Sequence, residues 1–177
     1  IDRIDFSNET TSAPNINLTQ SRYNLTAVSG GASYRIKGSR TYGYFGGGSP
    51  SPDGRVDRID FSNETVTEPG KNISPATSFL AACSSSSYGY FGGGNSPSGR
   101  VSTVDRIDFS NETTSPVTAT LTQPKYALAA TSSSSYGYFS GGVPSPTGTI
   151  DRIDFSNETP SPAGTLSSFR VAHAAVS

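Results

Sequence analysis

Short apolar stretches recur along this chain at strand length, each bounded by small polar residues. In Tyr88-Gly89-Tyr90-Phe91 the two Tyr share one face of an extended segment, and Gly89 and Phe91 share the other. Aromatics on both faces suit a strand held between two layers. Gly89 leaves room for the close approach of another backbone, and Gly92-Gly93-Gly94 permits the positive φ that ends the strand. Next comes Val104-Asp105-Arg106-Ile107-Asp108-Phe109, with Asp105, Ile107 and Phe109 on one face. Ser110-Asn111-Glu112-Thr113 suits a turn whose side chains hydrogen-bond the local backbone. Residues 121–131 are apolar and Ala-rich at strand length, and a Ser-rich turn leads on to the next aromatic strand. No stretch of about 11 residues or more keeps a helical period. The pattern predicts an all-β chain with about four short antiparallel strands per unit.

The pattern is periodic. Asp-Arg-Ile-Asp-Phe-Ser-Asn-Glu-Thr stands unchanged at 2–10, 57–65, 105–113 and 151–159. Tyr-Gly-Tyr-Phe stands at 42–45, 88–91 and 136–139, each time before a Gly- and Pro-containing turn. A weaker element aligns 18–28, 73–83, 121–131 and 166–176. The repeat is therefore about 46–48 residues, with units of roughly 1–41, 42–87, 88–135 and 136–177 in one domain. The first unit is longer because it carries an insertion at 30–40.

At Tyr90-Phe91-Gly92-Gly93 and Val104-Asp105-Arg106-Ile107-Asp108 the chain resembles the kelch repeat of β-propellers. The family's late Trp is missing, and Ile107 stands where Tyr is usual. The paired signature is closer still to repeats in structural or fibre-like proteins of aquatic phages and algal viruses. The resemblance implies a β-propeller, four-bladed or partial, with an open stacked β-repeat or filament as the alternative. It also implies an extracellular or virion-surface location.

Composition then narrows the classes. The 177 residues suit one domain, and Ser with Thr fill 50 positions against 32% hydrophobic residues. Without the period this would read as low complexity. With it, the scarce apolar residues are the core: 13 of the 18 Phe and Tyr lie in the two strong motifs. A net charge of -1 and the lack of a basic stretch argue against nucleic acid as a partner. No apolar run is long enough to insert in a membrane as a helix. One Cys leaves no internal disulfide framework. The start at Ile1, without Met, reads as a processed product or a segment of something longer.

Twelve of the 14 acidic residues lie in the four identical motifs. Asp105, Asp108, Asn111 and Glu112 together are a calcium candidate, the alternative being pairing with Arg106 or turn capping once per unit. Their spacing does not match the Asp-x-Asp-x-Asp-Gly calcium loop. His173 aligns with Leu25, Leu80 and Leu128, and Cys83 with Val28, Thr131 and Val176, so both read as packed strand residues. No catalytic constellation can be drawn, and no cofactor is expected beyond that calcium candidate. Asn8, Asn63, Asn111 and Asn157, with Asn17, Asn24 and Asn72, stand in N-glycosylation acceptor patterns. The insertion breaks the symmetry and holds Tyr34, Arg35, Lys37 and Arg40, a candidate binding loop for an acidic glycan or a neighbouring subunit.

These readings predict a non-enzymatic structural or adhesive repeat protein of an extracellular filament or virion surface. It would act by self-association or surface binding, with copies of itself, other subunits of a larger assembly or surface glycans as partners. The alternative is a glycan- or protein-binding β-propeller module with the 30–40 insertion as its specificity loop.

Overall fold

A computed structural model describes residues 1–5, 7–14, 16–30, 42–50, 54–70, 72–144 and 148–176. These residues form sixteen strands and no helix. Strands β1 (Arg3–Asp5) and β2 (Thr10–Ser12) make a hairpin. The first sheet follows as β3 (Thr26–Gly30), β4 (Tyr42–Gly46), β5 (Val56–Asp60) and β6 (Thr65–Thr67). The second holds β7 (Ala81–Ser84), β8 (Tyr88–Gly92), β11 (Thr103–Asp108) and β12 (Thr114–Thr120). A small hairpin, β9 (Asn95–Ser96) and β10 (Gly99–Arg100), interrupts it. The third holds β13 (Ala129–Ser132), β14 (Tyr136–Ser140), β15 (Thr149–Asp154) and β16 (Pro160–Thr165). Each sheet is an antiparallel meander of four neighbouring strands.

The identical motifs give identical registers. Phe45 lies opposite Asp57, Phe91 opposite Asp105 and Phe139 opposite Asp151. A slip of one residue would turn every aromatic to the wrong face, so the alternation specifies the pairing.

The sheets pack in chain order, first on second and second on third, along the line β3, β7, β13. The Tyr faces of β4 and β8 meet the following sheet, and the Gly–Phe faces of β8 and β14 meet the preceding one. Tyr44 stacks on Phe109 with centroids 5.5 Å apart, and Tyr90 on Phe155 at 5.1 Å. In the other direction a Cβ on Gly46 would lie 2.7 Å from the Phe91 ring, and one on Gly92 2.6 Å from the Phe139 ring. The middle glycines of the motif differ from expectation. Gly89 makes room for the Val28 side chain and Gly137 for Cys83 Sγ, so a side chain rather than a backbone fills the gap. Two cores result, one around Tyr44, Val56, Phe91 and Ile107, the other around Tyr90, Val104, Phe139 and Ile153. Each ring contributes on the order of 4–6 kcal/mol of gross burial, which a unit gains only by stacking on its neighbour.

Residues 121–131 differ from the predicted strand: only β13 at their end is one. The earlier part bends, with Leu121 and Leu128 buried and Ala127 at φ 55°. Its backbone bonds cross to neighbouring units. Phe79 N–H donates to Asn24 O (2.9 Å), Ala127 N–H to Phe79 O (2.9 Å) and Ala172 N–H to Ala127 O (2.8 Å). The four residues of this ladder occupy equivalent positions and all have positive φ. Among the described residues no pairing joins the β1–β2 hairpin to residues 166–176, so no closed ring is formed.

Candidate functional site: the repeated junction between sheets

The residues proposed above as a calcium cluster are distributed among three separate tasks. Asp105 is buried in the sheet, where its carboxylate accepts the Ser74 N–H at 3.0 Å. Asp108 accepts both the N–H (2.8 Å) and the hydroxyl (2.6 Å) of Ser110, and Asn111 accepts the same pair from Thr113. Those hydrogen bonds hold the Asp108 carboxyl below its ordinary value, the Ser110 hydroxyl contributing most. Glu112, at φ 57°, projects away from its own sheet. The four side chains do not converge, and no group of three or more acidic, His or Cys residues among the described residues is placed to hold a metal.

Glu112 is the centre of the junction. Its Oε1 accepts the Tyr44 hydroxyl at 3.0 Å and an Arg58 nitrogen at 2.9 Å, both from the preceding sheet. One unit on, Glu158 accepts Tyr90 at 3.3 Å and Arg106 at 2.6 Å. One unit back, Glu64 pairs with Arg3 of the first hairpin. Each of the two internal guanidiniums also lies over a Tyr ring, Arg58 on Tyr42 at 4.5 Å and Arg106 on Tyr88 at 4.6 Å. Burial, with the nearby Glu carboxylates, pushes the Tyr44 and Tyr90 hydroxyls up, so both stay protonated donors. Of the two roles expected for the Asp residues, turn capping is found at Asp108, whereas Arg106 pairs with Glu158 rather than with an Asp of its own motif. The partner is the Glu of the next copy of the motif, a long-range pairing that no spacing within one unit reveals.

A second set of charges sits inside the sheets. Arg22 pairs with Asp57, and Lys125 Nζ lies 2.5 Å from Asp151 Oδ2, all four side chains being buried. The equivalent position in the middle unit is Thr77. Asp105 therefore has no cation among the described residues, and burial pushes its carboxyl up to about 6. The alignment of 18–28 with its copies carries this signal, because Arg22, Thr77, Lys125 and Arg170 fall in one column.

Cys83 is buried in β7 as expected of a packed strand residue, whereas His173 is half-buried and lies outside any strand. The Cys83 thiol is buried and pushed up to about 12 by that burial. His173 lies over Gly141, where Leu80 and Leu128 lie over Gly47 and Gly93. Its Nε2 is 3.2 Å from Ser140 Oγ, and burial lowers its ring below the usual range. Nδ1 is buried without a hydrogen-bond partner among the described residues.

Asn8, Asn63, Asn111 and Asn157 are all exposed, and each accepts the N–H and hydroxyl of the Thr two residues on. Asn17 and Asn72 are also exposed, and Asn24 is half-buried on the backbone ladder. The binding candidates Tyr34, Arg35, Lys37 and Arg40 lie outside the described residues. No protein-family model matches the chain, and no curated protein is significantly similar to it.

Proposed function

We propose that this is a non-enzymatic structural repeat protein whose work is done by stacking, as material of an extracellular filament or virion surface. The observation that carries the reading is the junction itself. The same Tyr, Arg, Phe and Glu make the same contacts between first and second sheets and between second and third. Twelve of 14 acidic residues are committed to a motif repeated four times, and a substrate would need one distinct site. The four-stranded meanders, arranged along the line of their first strands, support a kelch-like blade. We read the chain as an open run of such blades. Surface binding and glycosylation are compatible with it, since the Asn-Glu-Thr turns lie exposed.

Sedimentation velocity and negative-stain electron microscopy of the purified chain test this. Concentration-dependent species larger than the 18.4 kDa monomer are expected, with fibres or end-to-end rods. A monodisperse monomer at every concentration, with no fibre, would overturn self-association.

A further inference from the structure

The two ends of the described stack carry the two halves of the junction that repeats inside it. At one end Arg152 lies over the Tyr136 ring at 4.5 Å, as Arg58 and Arg106 lie over theirs. Its Nε donates to Ser161, and no carboxylate among the described residues reaches it. Tyr138 holds the position of Tyr44 and Tyr90, yet it is half-exposed where they are 1% and 0% exposed. Beside it, Arg170 occupies the column of Arg22 and Lys125 and is exposed with no acidic partner among the described residues. Ala172 carbonyl, next in the backbone ladder, has no described donor.

The opposite end supplies the complements. Glu9 has the φ of 56° found at Glu64, Glu112 and Glu158, and the same Asp-to-Ser and Asn-to-Thr hydrogen bonds frame its turn. It is exposed and has no cation among the described residues. Asp2 is the residue that corresponds to Asp57 and Asp151, and it too is exposed and unpaired among the described residues. Asn24 N–H begins the backbone ladder with no described acceptor.

We infer that a second copy of this chain docks head to tail on the third sheet, setting its Glu9 on Arg152 and Tyr138 and its Asp2 on Arg170. This rests on the self-association reading and names its surface. The match is one of charge, two cations facing two carboxylates, and it continues a junction already formed inside the chain. A contact that joins one face to a different one propagates a filament, unless the rotation from copy to copy closes it into a ring.

Ser140 supports a second copy over another aromatic strand in this place. Gly46 and Gly92 leave the space that Phe91 and Phe139 fill, whereas Ser140 puts a Cβ and a hydroxyl there and bonds His173. A cavity of about 430 Å³ remains, lined in part by Thr131, Tyr138, Ser140 and Ile150. The β1–β2 hairpin of a second copy brings the Glu9 turn to this face without a Phe that needs that seat.

Charge reversal tests the pairing. Arg152→Glu and Glu9→Arg are each expected to weaken the association seen by sedimentation velocity about tenfold or more, with unchanged circular dichroism. An equimolar mixture should restore it, because every junction in an alternating chain is then either the native or the reversed pair. Arg170→Glu mixed with Asp2→Lys provides a second, independent pair. Wild-type chain that assembles while both single variants assemble equally well would overturn this interface and leave self-association standing. Loss in the singles without recovery in either mixture would overturn the pairing as well. A wild-type monomer at all concentrations would overturn both readings.

Discussion

The buried carboxylate of the middle unit makes a quantitative prediction. Asp57 and Asp151 each lie against a buried cation. The position equivalent to those cations is Thr77 in the middle unit, and Asp105 has the Ser74 N–H as its one hydrogen-bond partner among the described residues. Burial raises its carboxyl from the ordinary 3.8 to about 6, so at neutral pH the folded state holds an unpaired charge. The difference corresponds to about 3 kcal/mol at roughly 1.36 kcal/mol per pKa unit. The sign follows from proton binding. Between about 4 and 6 the folded state binds the proton that the unfolded state has released, so stability is lost as pH rises through that window. Asp105→Asn removes the charge, keeps an acceptor for Ser74 and adds an amide that needs a partner. The net gain expected is therefore about 1–2 kcal/mol above pH 7, turning into a loss of about 1–2 kcal/mol below pH 4, where the charge is gone and the amide's cost remains. Urea denaturation of wild type and variant at pH 7.5 and 3.5 measures it. Thr77→Lys, which copies Lys125 of the third unit, should also stabilise at pH 7.5 by giving the carboxylate its cation. A variant less stable than wild type at pH 7.5, or a gain equal at both pH values, would refute the reasoning.

Three further outcomes follow from the same geometry. Lys125→Met should destabilise by about 3 kcal/mol or more in urea denaturation at pH 7.5, because it leaves Asp151 charged and buried without its cation. Tyr90→Phe should cost about 1 kcal/mol through the lost bond to Glu158, while Tyr90→Ala should cost about 3–5 by emptying the ring's place against Phe155; thermal denaturation separates the two. Ser110→Ala should raise the Asp108 carboxyl towards its ordinary value, read by NMR titration, with no comparable change at Asp154.

Much of this arrangement was legible in the residues. Alternation in Tyr88-Gly89-Tyr90-Phe91 assigned its two faces, and both faces are buried as predicted. The Asp-to-Ser and Asn-to-Thr turns were legible because their hydrogen bonds span two residues. Residues 121–131 were misread as strand because apolar content does not say where the backbone donors go. At Ala127 they go to another unit.

By itself the sequence determined the unit: its period, its four short strands and the faces their side chains present. These follow from contacts within a few residues or within one meander, where spacing dictates geometry. Only the tertiary structure decided how unit meets unit. Glu112 reaches Tyr44 and Arg58 from 68 and 54 residues away, and four identical motifs offer every Arg the choice of four Glu residues. Stacking of sheets in chain order makes that choice, because burial of one aromatic face against the next sets Arg58 against Glu112 and Arg106 against Glu158.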